Sequence, residues 1–249
     1  MNRTRTKRSY LLPLLAIFAT WLALPIAPAR ATLVPPPYLG NTPYLSFSDS
    51  PASAMSFSYF QLETFESGAL AATGVTPSGG FVLGPGPMTD SVDADDGVID
   101  GFGTRGHSWY AGGNRSLSFT FDASILGALP TFAGIVWTDV GFTDVGVFGP
   151  APVLFEAFDS LNNSLGPIGP FGLGDQSVSG TTAEDRFFGV IDATGISRIT
   201  ISMPTSGDWE VDHLQFGLLA TSVPEPSTLL LGILGVAALW CARRRPLRN

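Results

Sequence analysis

Apolar and polar residues alternate along this chain in short runs, and those runs carry the fold prediction. Leu117, Phe119 and Phe121 alternate with Ser116, Ser118, Thr120 and Asp122, the period of two that belongs to a half-buried strand. Ile199, Ile201 and Met203 alternate with Arg198, Thr200 and Ser202 in the same way. Further strands are predicted at 55–62, 80–83, 134–138, 153–159, 187–191 and 209–216. One helical turn is predicted at 124–129, stopped by Pro130. Long patterns of period 3.6 are absent, and the 29 glycines and 20 prolines break nearly every stretch into short pieces. Eight or so short strands parted by turns predict an all-β fold, a β-sandwich of jelly-roll type.

The last of these strands is irregular. Trp209 and Val211 share one parity, whereas Leu214 and Phe216 share the other. Either the inward face switches at Asp212-His213 through a β-bulge, or the strand is buried on both faces.

The two ends break the alternation. Arg3, Arg5, Lys7 and Arg8 precede an apolar stretch at 10–27, which closes on Ala29-Arg30-Ala31. A cationic start, a modest apolar core and small residues at the cleavage positions describe a secretory signal peptide with a signal helix. At the other end, Val223-Pro224-Glu225-Pro226-Ser227-Thr228 leads into an apolar run at 229–241, followed by Arg243, Arg244, Arg245 and Arg248. Thirteen helical residues reach about 20 Å, short of a hydrocarbon core of about 30 Å. This is a minimal transmembrane helix, and its arginines hold the tail in the cytoplasm with the main domain outside. The expected organisation is a signal peptide at 1–31, a proline-rich extended arm at 32–51, the sandwich at 52–222 and a sorting segment at 223–249.

The order of proline-rich motif, short glycine-containing apolar helix and arginine cluster resembles the PEP-CTERM sorting signal. The resemblance is confined to 223–249. It implies an exosortase substrate in which Pro224, Glu225 and Pro226 are recognition residues. It also implies signal peptidase and exosortase as partners, an inner-membrane-anchored intermediate, and a destination on the cell surface or in the extracellular matrix of a Gram-negative-type bacterium. Extracellular polysaccharide is the partner expected there.

Once both ends are set aside, residues 32–222 hold twenty acidic residues against four basic ones, Arg105, Arg115, Arg186 and Arg198. A charge of −16 excludes nucleic acid, which needs a basic footprint, and favours divalent cations. The single cysteine, Cys241, falls in the sorting segment. Disulfides, thiolate metal sites and cysteine catalysis are therefore excluded from the domain.

Calcium is the cofactor this composition points to, at either of two places. The first is the acidic loop with Asp90, Asp93, Asp95, Asp96 and Asp100, folded by Gly97 and Gly101, although its spacing is not that of an EF-hand. The second joins Glu63 or Glu66, near the first strong strand, to Asp212 in the last. Trp109, Tyr110 and Trp137 are candidate platforms for sugar rings, with packing as their plainer role. Glu184 and Asp185 beside Arg186 could form a glycosidase pair, but neighbours on an extended chain point apart. A network around Arg186 is the simpler expectation, and Glu156 is expected on a heavily buried strand. His107 and His213 lie in no G-x-S-x-G or H-E-x-x-H setting. The sequence is thus read as a non-enzymatic, calcium-supported carbohydrate-binding module. A structural matrix protein and a glycan-cleaving enzyme are the alternatives.

Overall fold

The computed structural model describes residues 38–86, 89–94, 106–141, 150–174 and 184–220. Twelve strands follow in order: β1 (Tyr38–Pro43), β2 (Phe57–Glu63), β3 (Val75–Pro77), β4 (Phe81–Leu83), β5 (Ser108–Tyr110), β6 (Ser116–Phe121), β7 (Phe132–Val140), β8 (Ala151–Asp159), β9 (Ser164–Leu173), β10 (Arg186–Ile191), β11 (Ile196–Ser202) and β12 (Trp209–Leu219). Helix among the described residues is confined to one turn, Ala123–Leu126, capped by the Asp122 side chain, and to three short 3-10 turns. The expected signal helix, transmembrane helix and sorting residues Pro224, Glu225 and Pro226 lie outside the described residues.

The strands form two antiparallel sheets. One runs β1-β10-β7-β12-β5-β4, and β2 also pairs with β12. Because β7 occupies one edge of β12, β5 and β2 share the other, β5 at Glu210 and Val211 and β2 from Leu214 onward. The second sheet runs β3-β6-β11-β8-β9. The sheets face each other across one core. Leu117, Phe119, Phe155, Ile199 and Ile201 come from the second sheet, and Ile135, Trp137, Phe188, Val211 and Phe216 from the first. Alternation explains this, since every second residue of β6, and of β11 from Ile199 onward, turns inward.

A smaller apolar cluster lies apart from that core. Tyr44, Ala52, Val92, Phe132, Val136 and Phe187 are buried together, with Leu39, Phe47, Phe57 and Phe60 packed against them. Chain segment 38–56 is thereby tied to the first sheet: residues 38–43 pair with β10 as its edge strand, and Tyr44 and Ala52 cover residues of β7 and β10. The first sheet is therefore buried on both faces along β7 and most of β12.

β12 reconciles both readings of its irregular parity. Asp212 pairs with Val136 and Gln215 with Gly134, so the partner strand is one residue shorter there. His213 is the extra residue and takes a left-handed φ of 44°. Trp209 and Val211 before the bulge, and Leu214 and Phe216 after it, all reach the sandwich core. Glu210, Asp212, His213 and Gln215 are consequently left for the outer face, where they are also buried.

Candidate functional site

The outer face of β12 is a polar stripe beneath a lid made by residues 89–94. Asp212, fully buried, accepts hydrogen bonds at Oδ2 from Ser91 Oγ and the Val92 amide, both 3.0 Å, and at Oδ1 from the His213 amide, 2.6 Å. Two residues earlier, Glu210 accepts from the Asp90 amide at 3.0 Å and from the Ser108 hydroxyl. The acidic loop is thus pinned by its own amides to carboxylates of the last strand. Burial pushes both carboxyls up to about 7. For Asp212 the His213 charge pulls back against it, and for Glu210 the Ser108 and Asp90 hydrogen bonds do so.

His213 completes the group. Its Nδ1 meets the Tyr44 hydroxyl at 2.8 Å, and its Nε2 faces Asp93 Oδ2 at 3.3 Å. Tyr44 is bonded in turn to Gln215, and Gln215 to Ser50. Burial opposes a charge on the imidazole, but Asp93, Asp212 and Glu66 outweigh it and raise its pKa above the ordinary value. Ligand atoms of Asp93, Asp212 and His213 all lie within 4.8 Å of one another. Ser91 Oγ stands 3.5 Å from Glu66 Oε1, and Glu66 holds the His107 amide and lies 3.3 Å from its Nδ1. The side chain of Asp93 is 39% exposed and that of His213 is 4% exposed, so the group opens to solvent past Asp93.

One described residue of the acidic loop and two of the second place proposed for calcium from sequence meet on the outer face of β12. Asp93 from the loop, Asp212 from the last strand and Glu66 from the chain after β2 converge on it. Asp95, Asp96 and Asp100 lie outside the described residues. Glu63 is elsewhere employed, closing the loop after β2 by accepting from the amides of Phe65, Ala71 and Ala72 at 2.8, 2.6 and 2.5 Å. Sequence reasoning did not assign His213, Tyr44 or Ser91 to a metal group. The parity switch at Asp212-His213 was the signal that pointed there.

Two expectations need correcting. Trp137 is fully buried against Trp209, with centroids 4.7 Å apart, and Trp109 is buried between Phe65 and Phe119. Neither ring has a face free for a sugar. Tyr110 is half-buried, with its hydroxyl on Asp208. Glu156 is only half-buried, since it falls on the outward parity of β8 and bonds to Ser164. Glu184 is hydrogen-bonded to buried Asp139, whose carboxyl is raised well above its ordinary value by burial and then by the charges of Glu184, Glu210 and Asp208. Arg186 donates to the Asp185 carbonyl.

The group on β12 has the chemistry of a cation site, but an address comes from the other end of the chain. Residues 222–245 match the family model of the PEP-CTERM protein-sorting motif. They are a PEP-CTERM sorting signal. The match makes this an exported protein, processed by exosortase through a membrane-anchored intermediate, and covers only that segment. No curated protein and no solved structure matches the chain.

Proposed function

We propose that this PEP-CTERM protein is a non-catalytic surface module of jelly-roll type. In this reading a bound divalent cation, for which the acidic composition first suggests calcium, locks the 89–94 lid to the last strand, and the ligand set decides which cation it is. The convergence of Asp93, Asp212 and His213 within 4.8 Å carries the reading. The strand order supports the jelly-roll: β5-β12-β7-β10 in one sheet and β6-β11-β8-β9 in the other, so that the eight strands from β5 wrap as two interleaved Greek keys. After cleavage of residues 1–31 by signal peptidase and processing near Pro224, Glu225 and Pro226, the domain resides on the cell surface or in extracellular polysaccharide.

A glycan ligand has one observation in its favour. Phe81 is 50% exposed and meets Tyr110 edge-on, with centroids 5.5 Å apart, on the β4–β5 pair. An exposed ring backed by a half-buried one offers a platform for a sugar ring, unlike the buried tryptophans.

The test compares melting of the full-length protein in chelator and in millimolar calcium, followed by a glycan array. Stabilisation by a cation is the expected result, since a ligand at about a hundred times its Kd adds about 2.7 kcal/mol. Equal midpoints under both conditions, for calcium and for transition cations alike, would remove the cation from the reading. An array blank for acidic and neutral polysaccharides would leave a matrix role in place of the glycan ligand, and glycan binding that survives Phe81→Ala would remove the Phe81–Tyr110 platform. Native product still carrying residues 1–31 would overturn the export route.

A further inference from the structure

Calcium takes oxygen ligands, yet one member of the β12 group, only 3% exposed, is an imidazole. His213 is not there by local preference. It occupies the extra position of a bulge in an interior strand of the sheet, at φ 44°, a conformation that is strained for a non-glycine residue. Its ring is held edge-on against Tyr44, with centroids 5.5 Å apart. A buried imidazole with its Nε2 lacking a hydrogen-bond partner is what this conformation delivers. The nearest acceptor, Asp93 Oδ2 at 3.3 Å, is in charge contact but outside hydrogen-bond geometry.

That 3.3 Å separation has a meaning. Two ligand atoms bound at 2.0–2.1 Å to one tetrahedral ion lie about 3.3–3.4 Å apart. The other ring nitrogen has the partner that a ligating histidine requires. A metal-bound imidazole gives its second N–H to an acceptor, which fixes the tautomer and the ring plane. Here that acceptor is the Tyr44 hydroxyl, 2.8 Å from Nδ1. The amide of Gln215 can be read in either orientation. With its oxygen toward Tyr44, the chain runs from Nδ1–H to Tyr44, from Tyr44 to Gln215 and from Gln215 to Ser50, and the Nε2 lone pair is left pointing at the carboxylates. The same four groups stay bonded with the hydrogen directions reversed, and Nε2 then carries a proton toward Asp93. Proton and metal are alternative occupants of one position.

We infer that Asp93, Asp212 and His213 Nε2 form a mixed oxygen–nitrogen centre for a first-row transition cation of zinc type, rather than for calcium. The inference rests on the cation reading above and specifies the kind of cation. Imidazole nitrogen favours zinc and its neighbours, whereas an all-oxygen shell favours calcium. The exposed side of Asp93 is the way in, and Glu66 stands behind Ser91 as a further carboxylate.

The experiment strips the full-length chain with chelator, then measures bound metal per chain and melting with zinc, cobalt or calcium. Cobalt reports nitrogen ligation through its visible absorption. One zinc per chain is expected, with a rise in melting temperature of roughly 5 to 10 °C at about a hundred times Kd. His213→Asn tolerates the left-handed backbone and removes the imidazole. Asp93→Asn is near-isosteric at an exposed carboxylate, so it keeps the test open should the first variant fold poorly. Each is expected to weaken zinc at least tenfold. Zinc affinity unchanged in Asp93→Asn or in folded His213→Asn would overturn the inference. Stabilisation by calcium alone would also overturn it while leaving the cation reading intact, and stabilisation by no cation would overturn both.

Discussion

Asp139, Glu184 and Glu210 are buried carboxylates that neighbour one another across β7, β12 and the entrance to β10. Asp139 holds its proton well above the usual carboxylate range, first because it is buried and then because of the surrounding acids. In an unfolded chain the same group titrates near about 3.9. A pKa raised by folding means that the native state binds the proton more tightly. The stabilisation is then fully present below about pH 4 and is lost as the pH rises through the folded value. Chelated protein should accordingly lose stability between mildly acidic and alkaline buffer. Asp139→Asn should flatten that slope and raise the melting temperature at pH 8 by a few degrees. Equal melting losses for the variant at pH 5 and pH 8 would show that the charge is not the cause. Tyr44 gives a second prediction at this scale. Tyr44→Phe deletes the hydroxyl shared by His213 and Gln215 while keeping the ring on Phe187. Denaturant unfolding should show a loss of about 1–2 kcal/mol from the orphaned partners. Metal affinity should fall by about tenfold from loss of the ring-orienting bond.

Among the elements, the strands that alternate cleanly and those that do not differ in where they sit. β6 and β11 are interior strands with one face in the core, so period two is imposed on them and is readable. β9, with Gly166, Pro167, Gly169, Pro170 and Gly172, carries no such pattern. It is an edge strand, paired on one side only, where missing amide donors are tolerated and where prolines discourage pairing with other chains. β1 is another such edge, with a bulge between Gly40 and Thr42 and Pro43 at its end. Gly207 and Gly113 show how the turns are clamped between elements. The Gly113 amide donates to the Gly207 carbonyl at 3.0 Å, and a Cβ on Gly207 would fall 2.2 Å from the Gly113 carbonyl carbon. Backbone cannot move aside as a side chain can. Gly207→Ala should cost about 2–3 kcal/mol in equilibrium unfolding. Gly172→Ala meets nothing nearer than Pro150 at 4.0 Å and should cost about 0.5 kcal/mol or less. Similar losses for the two would remove the clamp from this account.

For the whole molecule, the described tyrosines with shifted acidity share one direction. Tyr59 and Tyr110 are pushed up to about 12 by burial, Tyr110 also by its bond to Asp208, and Tyr38 and Tyr44 are raised as well, burial again being the first cause. Each is neutral in the fold at a pH where the unfolded chain, titrating near about 10, has begun to ionise. Stability from these groups is complete below about pH 10 and disappears as the pH climbs through 12. Phenolate absorbance should therefore rise together with loss of the fold; gradual titration near pH 10 in the intact protein would contradict their burial. At the same scale, the C-terminal segment was readable because a sorting signal is a linear pattern of consecutive residues: Pro224-Glu225-Pro226, a short apolar run and an arginine cluster. Alternation likewise determined the all-β class and marked Asp212-His213 as the place where parity switches, since each is a property of consecutive residues, but left open whether a bulge or two-sided burial caused the switch. Tertiary structure alone decided that Glu66, Asp93 and Asp212, separated by up to 146 positions in the chain, stand together with His213. It also decided that Trp109 and Trp137 turn inward. The reason is that strand pairing joins β12 to β7 on one edge and to β5 and β2 on the other, and that long-range order is written in no single stretch of chain.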